Sequence, residues 1–362
     1  MYDSQATATI MLLGGAVVAV VGCCWFKWKM SRVDITPPGP PAPYTPPEPG
    51  LVAPDDLRTD WGGPDEEADD ALRAAESGNW HAAADLLSRT GQEWDLRSRR
   101  AKALGAVAAQ DDGWLLNWRA QRPGDADAAL VHAHAMVVLA WLVRGSLGTE
   151  HTTREQFDGF HRVLHEARDA CAEAVALADP ADPSPYIAEL LVARGLMYPH
   201  EEFRSLWAEV VARAPHHYDA HFTALQYWCA KWRGSQELAE EFATTAAQSA
   251  PPGSLLRVLP VVSWYEHHVS DADTERFLRP EIVARVEALS EDVAAAPPDH
   301  PWLPSARHAL AYFLPLQGRS AEALPHFRAV DGWTGTFPWA YLGAGRYVAA
   351  RDEAFRSALT QV

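Results

Sequence analysis

Helical periodicity limits what this chain can fold into more than any other feature. From Asp65 to Val362 nearly every segment sets apolar residues at three- and four-residue spacing between Pro, Gly or capping polar residues. No stretch sustains the period-two alternation rich in Val, Ile and Thr that a half-buried strand needs. The expected class is all-α. The spacing predicts helices near 65–77, 80–90, 93–109, 112–121, 125–145, 153–178, 184–196, 200–213, 217–232, 236–249, 255–268, 273–295, 302–317, 320–329 and 338–359. The connections are short, which favours antiparallel packing of successive helices.

Internal repetition sharpens this. Pro180, Pro215 and Pro251 each close an alanine-rich helix, at spacings near the roughly 34-residue tetratricopeptide period. Gly78–Leu87 and Gly318–Phe327 both read as the turn and second helix of such a unit. The expectation for residues 65–362 is an irregular tetratricopeptide-like α-solenoid of antiparallel helix pairs. Leu130 to Val143 is apolar nearly all round, but its uninterrupted part, Ala135 to Val143, is far shorter than the roughly 20 residues a bilayer needs. It reads as a central helix buried on both sides. Pro260 is expected to kink or restart the helix at 255–268.

Ahead of this domain lies an apolar run from Ile10 to Phe26, extended by the mild stretch Ala6–Thr9, long enough for about 26 to 32 Å of helix. Trp25, Trp28, Lys27 and Lys29 stand where amphipathic rings and snorkelling ammonium groups favour the headgroup layer. The leading side holds Asp3 and no base, and the trailing side holds Lys27, Lys29 and Arg32, which favours a cytoplasmic C-terminal side. The division read from sequence is a short extracytoplasmic N-terminus at 1–9, a transmembrane anchor at 10–30, a proline-rich linker at 31–64 and the helical domain at 65–362. Residues 37–54 carry nine prolines, a composition suited to an extended polyproline II spacer. Val20-Val21-Gly22-Cys23 also resembles a lipoprotein cleavage box, which keeps an exported lipoprotein as the alternative, although such signals begin with a basic region that is missing here.

The net charge is −17, with the surplus of acid beyond residue 36. Such a surface repels phosphate backbones, so nucleic acid is a poor ligand and a basic protein partner a better one. Of the four cysteines, Cys23 and Cys24 fall in the apolar run, and Cys171 and Cys229 have no zinc or disulfide spacing. Lysine almost vanishes beyond the anchor, leaving Lys102 and Lys231.

The most distinctive string is Leu225-Gln226-Tyr227-Trp228-Cys229-Ala230-Lys231-Trp232-Arg233-Gly234-Ser235. Trp228 and Trp232 are spaced to stack on one helix face, Gly234 suits a left-handed cap, and Ser235 suits the N-cap of the next helix. The string resembles uncharacterised bacterial, actinobacterial-type helical-repeat proteins sharing a domain of unknown function, in which a helix ends in Pro-Arg/Lys-Trp-Gly-Gly-Ser. Ala230 stands for the proline and Arg233 for the first glycine, so the helix is expected to run one turn further. The resemblance, best over about residues 180–270, implies a tetratricopeptide-like fold and no chemistry.

No catalytic pattern stands out. His217/His221 and His161/His165 are helix-face pairs that lack a third ligand and the His-Glu-x-x-His motif, and no nucleophile elbow or phosphate-cradling glycine loop is present. No cofactor is implied. The expected function is a membrane-tethered protein-binding scaffold and not an enzyme, its partner-binding or structural motif comprising Trp228, Lys231, Trp232, Gly234, Ser235, Trp264 and Tyr265. The alternative is a small-molecule-binding protein or enzyme with an aromatic pocket around Trp228 and Trp264.

Overall fold

The structure, a computed structural model, describes residues 44–145, 153–268 and 275–360. The anchor at 10–30 and the first part of the proline-rich strip lie outside the described residues. The described residues are all-helical, with sixteen α-helices and no strand. In chain order the helices are α1 (Glu66–Glu76), α2 (Trp80–Ser88), α3 (Trp94–Ala108), α4 (Gly113–Gln121), α5 (Ala126–Arg144), α6 (Arg154–Leu177), α7 (Ser184–Gly195) and α8 (His200–Arg213). There follow α9 (Tyr218–Trp228), α10 (Gln236–Ser249), α11 (Val258–His268), α12 (Pro280–Ala295), α13 (Leu303–Leu316), α14 (Ser320–Val330), α15 (Trp339–Leu342) and α16 (Ala344–Thr360).

Local chemistry explains the ends. Asp65 caps α1 through Ala68 N–H, Asp125 caps α5 through Asp127 and Ala128 N–H, and Thr153 with Gln156 forms a capping box on α6. Three expected boundaries move. The helix expected at 273–295 divides into a 3₁₀ turn, Glu275–Leu278, and α12, which begins at Pro280, where a missing amide costs no intrahelical bond. Gly343, at φ 87°, breaks the helix expected at 338–359 into α15 and α16. Pro260 lies in the first turn of α11, so it helps to start that helix and does not kink its middle.

Helices pack on their successors and often on the next but one: α1 on α2 and α3, α5 on α6 and α7, α9 on α10 and α11, α14 on α16. Beyond this local order, α3 also meets α7 and α9. By length and composition α5 is apolar enough to cross a membrane. Within the fold, Leu130, Val131 and Ala135 join a cluster with Trp80 and Trp118, while Ala133, Ala140 and Trp141 join another with Phe160 and Leu164. Gly105 lets α3 close on α5, since an added Cβ would fall 2.4 Å from His134 Cβ.

The linker reading needs correction from Tyr44 onward, because the chain there is docked. The Tyr44 hydroxyl meets the Asp352 carboxylate at 3.0 Å and accepts from Arg351 Nη2, and Glu48 pairs with Arg328 at 2.7 Å. Val52 N–H donates to Asp331, Arg58 N–H to the Gly332 carbonyl, and Gly335 N–H to the Trp61 carbonyl. A strip poor in amide donors forms only a 3₁₀ turn, Pro54–Asp56, and its few polar groups are satisfied along α14–α16 and the loop between α14 and α15.

Arg351 holds this strap in place. Its side chain is fully buried and meets Asp331 at 2.6 Å and Asp352 at 3.1 Å. Arg351→Met is expected to cost about 3 to 5 kcal/mol, because it leaves the buried Asp331 carboxylate without its cation and takes from Asp352 its nearer one, leaving Arg356 at 3.9 Å. Urea unfolding of the full chain, together with hydrogen exchange over residues 44–61, checks this; parent-like stability and protection refute it.

Burial also sets a pH dependence. His134, His221 and His308 are buried and held neutral, their pKa values lowered from 6.5 to about 4 mainly by desolvation. In the unfolded chain each takes up a proton as pH falls below about 6.5, while the native state resists until about 4. Unfolding is therefore increasingly favoured on the acid side of that window. The free energy of unfolding should drop steadily between pH 6.5 and 4, and His308→Gln should flatten the slope; a stability flat across the window contradicts this.

Candidate functional site

The tryptophan-rich string is placed differently from its sequence reading. Helix α9 stops at Trp228, one turn short of the expected 232, and the chain turns through Trp232 N–H and Gly234 N–H to the Cys229 carbonyl. Trp232 therefore leaves the helix face that Trp228 occupies. Gly234 does not adopt the left-handed conformation; it is needed because an added Cβ would lie 1.8 Å from the Trp228 carbonyl oxygen. Ser235 caps α10 by accepting from Leu238 N–H.

The rings divide between two cores. Trp228 stands edge-on to Phe203 at 5.5 Å and close to His200, whereas Trp232 meets Trp141 perpendicularly at 5.7 Å. Trp264 packs on Phe277 and Phe313, and Tyr265 on Phe337 and Tyr312. None of these four lines the cavity between α3, α5, α7 and α9. Lys231 pairs with Glu266 at 2.7 Å, and Glu266 in turn accepts from Gln226 and Tyr341.

That cavity, of about 140 Å³, lies where α3, α5, α7 and α9 converge with residues 61–63, 301–305 and 335–341. Apolar surface forms most of its wall, with the rings of Trp61, Trp141, Tyr218, Phe222, Trp302 and Phe337 around Val137, Val138 and Leu191. Into this apolar space come Arg99 and Lys102 from α3, His134 from α5, Arg194 from α7, and Asp219 and Gln226 from α9.

These polar groups are not equally satisfied. Lys102 Nζ meets both Asp219 oxygens, at 3.1 and 3.2 Å. Arg99 donates to the carbonyls of Pro301 at 2.7 Å and Gly63 at 2.8 Å, and burial draws its pKa downward. Arg194 is 2% exposed and makes no hydrogen bond or ion pair among the described residues; its Nε and Nη2 are buried without partners. Its guanidinium lies 5.2 Å from the ring centres of both Trp141 and Trp232. Desolvation lowers its pKa to about 10, which leaves it cationic at neutral pH. His134 Nε2 and Gln226 Oε1 also lack partners, although Gln226 Nε2 donates to Glu266 at 2.8 Å.

One cluster has the composition of a hydrolytic triad. Ser98 Oγ lies 3.0 Å from His217 Nε2, and Asp95 Oδ1 lies 3.5 Å from His217 Nδ1. The hydrogen bonds oppose that role. His217 Nδ1 accepts from Ala220 N–H as the cap of α9, so Nε2 carries the hydrogen, with the Trp94 carbonyl 3.1 Å away, and cannot take a proton from Ser98. Asp95 is engaged by Tyr218 N–H. The cluster ties the start of α9 to the start of α3. The expected His217/His221 pair is likewise internal, since His221 Nδ1 bonds the His217 carbonyl. His161 and His165 are exposed. Burial raises the thiol pKa of Cys171 and of Cys229, which opposes thiolate chemistry. Among the described residues no group of three or more His, Cys, Asp or Glu is placed to hold a metal ion.

Comparison of the chain with protein-family models, with curated proteins and with solved structures finds no match.

Trp232 is half-buried and supports one face of Arg194. Trp232→Ala is expected to cost about 2 to 3 kcal/mol, somewhat below the cost of truncating a fully buried aromatic residue. A variant that melts like the parent would remove Trp232 from the packing of α5 and α7.

Proposed function

We propose that this is a membrane-tethered binding protein whose small-molecule ligand occupies the cavity between α3, α5, α7 and α9. One observation carries the reading: Arg194, a buried cation, lines that cavity with no hydrogen bond or direct ion pair among the described residues. Native proteins rarely bury a charge this way without a functional reason, because an unpaired buried ion costs several kcal/mol. The aromatic wall and the few converging polar groups are what a small-molecule site needs.

The fold fits this role as an irregular, tetratricopeptide-like solenoid of antiparallel helix pairs, a reading supported by the packing of helices on near neighbours and by the repeated prolines. In this reading the solenoid curls until α3 meets α7 and α9, enclosing a space in place of an open groove. The acidic exterior then serves solubility, or a basic partner, and the binding energy lies inside. Binding is preferred to catalysis because Lys102 and Asp219 neutralise each other and Ser98 and His217 are held in a structural arrangement. The charge asymmetry around residues 10–30 supports an anchor that leaves this domain in the cytoplasm.

The test is native mass spectrometry of the full chain, extracted in mild detergent from its own host. The expected result is a bound small molecule released on denaturation and missing from Ala106→Phe, which fills the cavity from α3. A molecule retained equally by the blocked variant overturns the reading.

A further inference from the structure

We infer that the ligand is a small organic carboxylate with a flat, single-ring apolar body, its carboxylate held by Arg194. This deepens the cavity reading and rests on it.

Three other buried arginines give a comparison, while Arg99 and Arg276 are held by backbone carbonyls instead. Arg97 meets Asp127 and Asp182, Arg100 meets Asp65 and Glu67, and Arg351 meets Asp331 and Asp352, all with N to O distances of 2.6 to 3.1 Å. Each buried guanidinium in this set has two carboxylates. Arg194 is buried to the same degree, has none among the described residues, and borders the cavity. In Arg100 it is Nε and Nη2 that hold the Asp65 carboxylate; in Arg194 those two nitrogens are both without partners. A guanidinium in this state matches one carboxylate, bidentately.

Charge accounting agrees. Lys102 and Asp219 cancel, and His134 is neutral. The cavity is left with two cations: Arg99, satisfied by carbonyl oxygens alone, and Arg194, which has two tryptophan faces and the more distant charges of Glu266 and Asp219 but no hydrogen bond or ion pair among the described residues. An anion relieves both in a space where water screens little. A bare phosphate or sulfate would meet the charge but waste the wall, since most of the lining is ring and aliphatic surface. Size sets the body: a cavity of about 150 Å³ accommodates benzene, and this one is about 140 Å³. Trp61, Trp141 and Trp302 supply flat faces for a ring.

The experiment titrates the full chain in detergent with sodium benzoate, benzyl alcohol or inorganic phosphate by calorimetry, comparing the parent with Arg194→Met, Arg194→Lys and Ala106→Phe. Benzoate should bind the parent and bind Arg194→Met about tenfold or more weakly, the loss expected for a charge-assisted bond. Benzyl alcohol should bind both alike. Arg194→Lys keeps the charge and loses the fork, so it should fall between them, and it preserves the test should the methionine variant not fold. Ligand-free Arg194→Met should melt at or above the parent temperature, because it removes an unpaired buried charge; an arginine with a purely structural role would give a lower one. Equal benzoate binding by parent and Arg194→Met, phosphate binding as tight as benzoate, tighter binding of benzyl alcohol, or no benzoate binding to the parent each overturns the carboxylate and leaves the cavity reading standing. Benzoate bound equally by Ala106→Phe overturns the cavity itself.

Discussion

The architecture depends on a row of buried cations along one stretch of α3. Arg97, Arg99 and Arg100 are all under 9% exposed, and Lys102 follows them one turn later. A buried guanidinium without partners is costly enough to unfold a marginal domain. The partners here are remote in sequence: Asp127 on α5, Asp182 before α7, Asp65 and Glu67 at the start of α1, Asp219 on α9, and the carbonyls of Gly63 and Pro301. Packing of helices on near neighbours cannot deliver them. The row is satisfied only when α3 is surrounded by α1, α5, α7, α9 and the segments at 61–65 and 301–305.

That arrangement is also what keeps a cavity open. The walls that converge on α3 are rigid rings, and at two seams they touch through glycine. A Cβ on Gly63 would lie 2.5 Å from Pro304 Cβ, and one on Gly335 would lie 2.4 Å from the Trp61 amide nitrogen. The seams are therefore closed by glycine backbone, against the Pro304 ring at one and the backbone of residues 59–61 at the other, while the rings of Trp61, Trp141 and Trp302 hold the space between them. Close-packed interiors rarely leave such a void, and where they do, its lining forgoes dispersion contacts that a bound ring would restore.

The helices were legible because their determinants are local. Asp65, Asp125, Thr153 and Ser235 cap the helices they precede, and periodicity located nearly every element. What escaped depends on tertiary approach. The end of α9 is set by a collision between Gly234 and the Trp228 carbonyl, which no spacing rule contains. The sequence around Arg97–Lys102 looks like a solvated face, and its burial follows only from distant carboxylates. Arg194 sits in an otherwise apolar string, where a basic residue near a helix C-terminus has an ordinary explanation in the macrodipole. One signal was available. Lys102 and Lys231 are the two lysines beyond residue 30, and both are ion-paired beside the cavity, Lys102 directly and Lys231 through Glu266 with Gln226 and Tyr341.

The strap gives the cavity a wall that belongs to no helix. Trp61, Gly62 and Gly63 line it, and their place is fixed by Arg99 on the Gly63 carbonyl, by His308 Nε2 on the Gly62 carbonyl at 2.8 Å, and by Gly335 N–H on the Trp61 carbonyl. Upstream, the same segment runs through Val52 and Glu48 to Tyr44, held on the last helices by Asp331, Arg328 and Arg351. Sequence order then places the first part of the proline-rich strip and the apolar run directly before it. A molecule that fills the cavity and packs on Trp61 stabilises the docked strap by the free energy of that contact. Linkage makes the effect reciprocal, so a strap pulled from Arg351 and Asp331 weakens the site by the same amount. Any such coupling would run through a few hydrogen bonds between backbone carbonyls and buried donors, without any helix having to move.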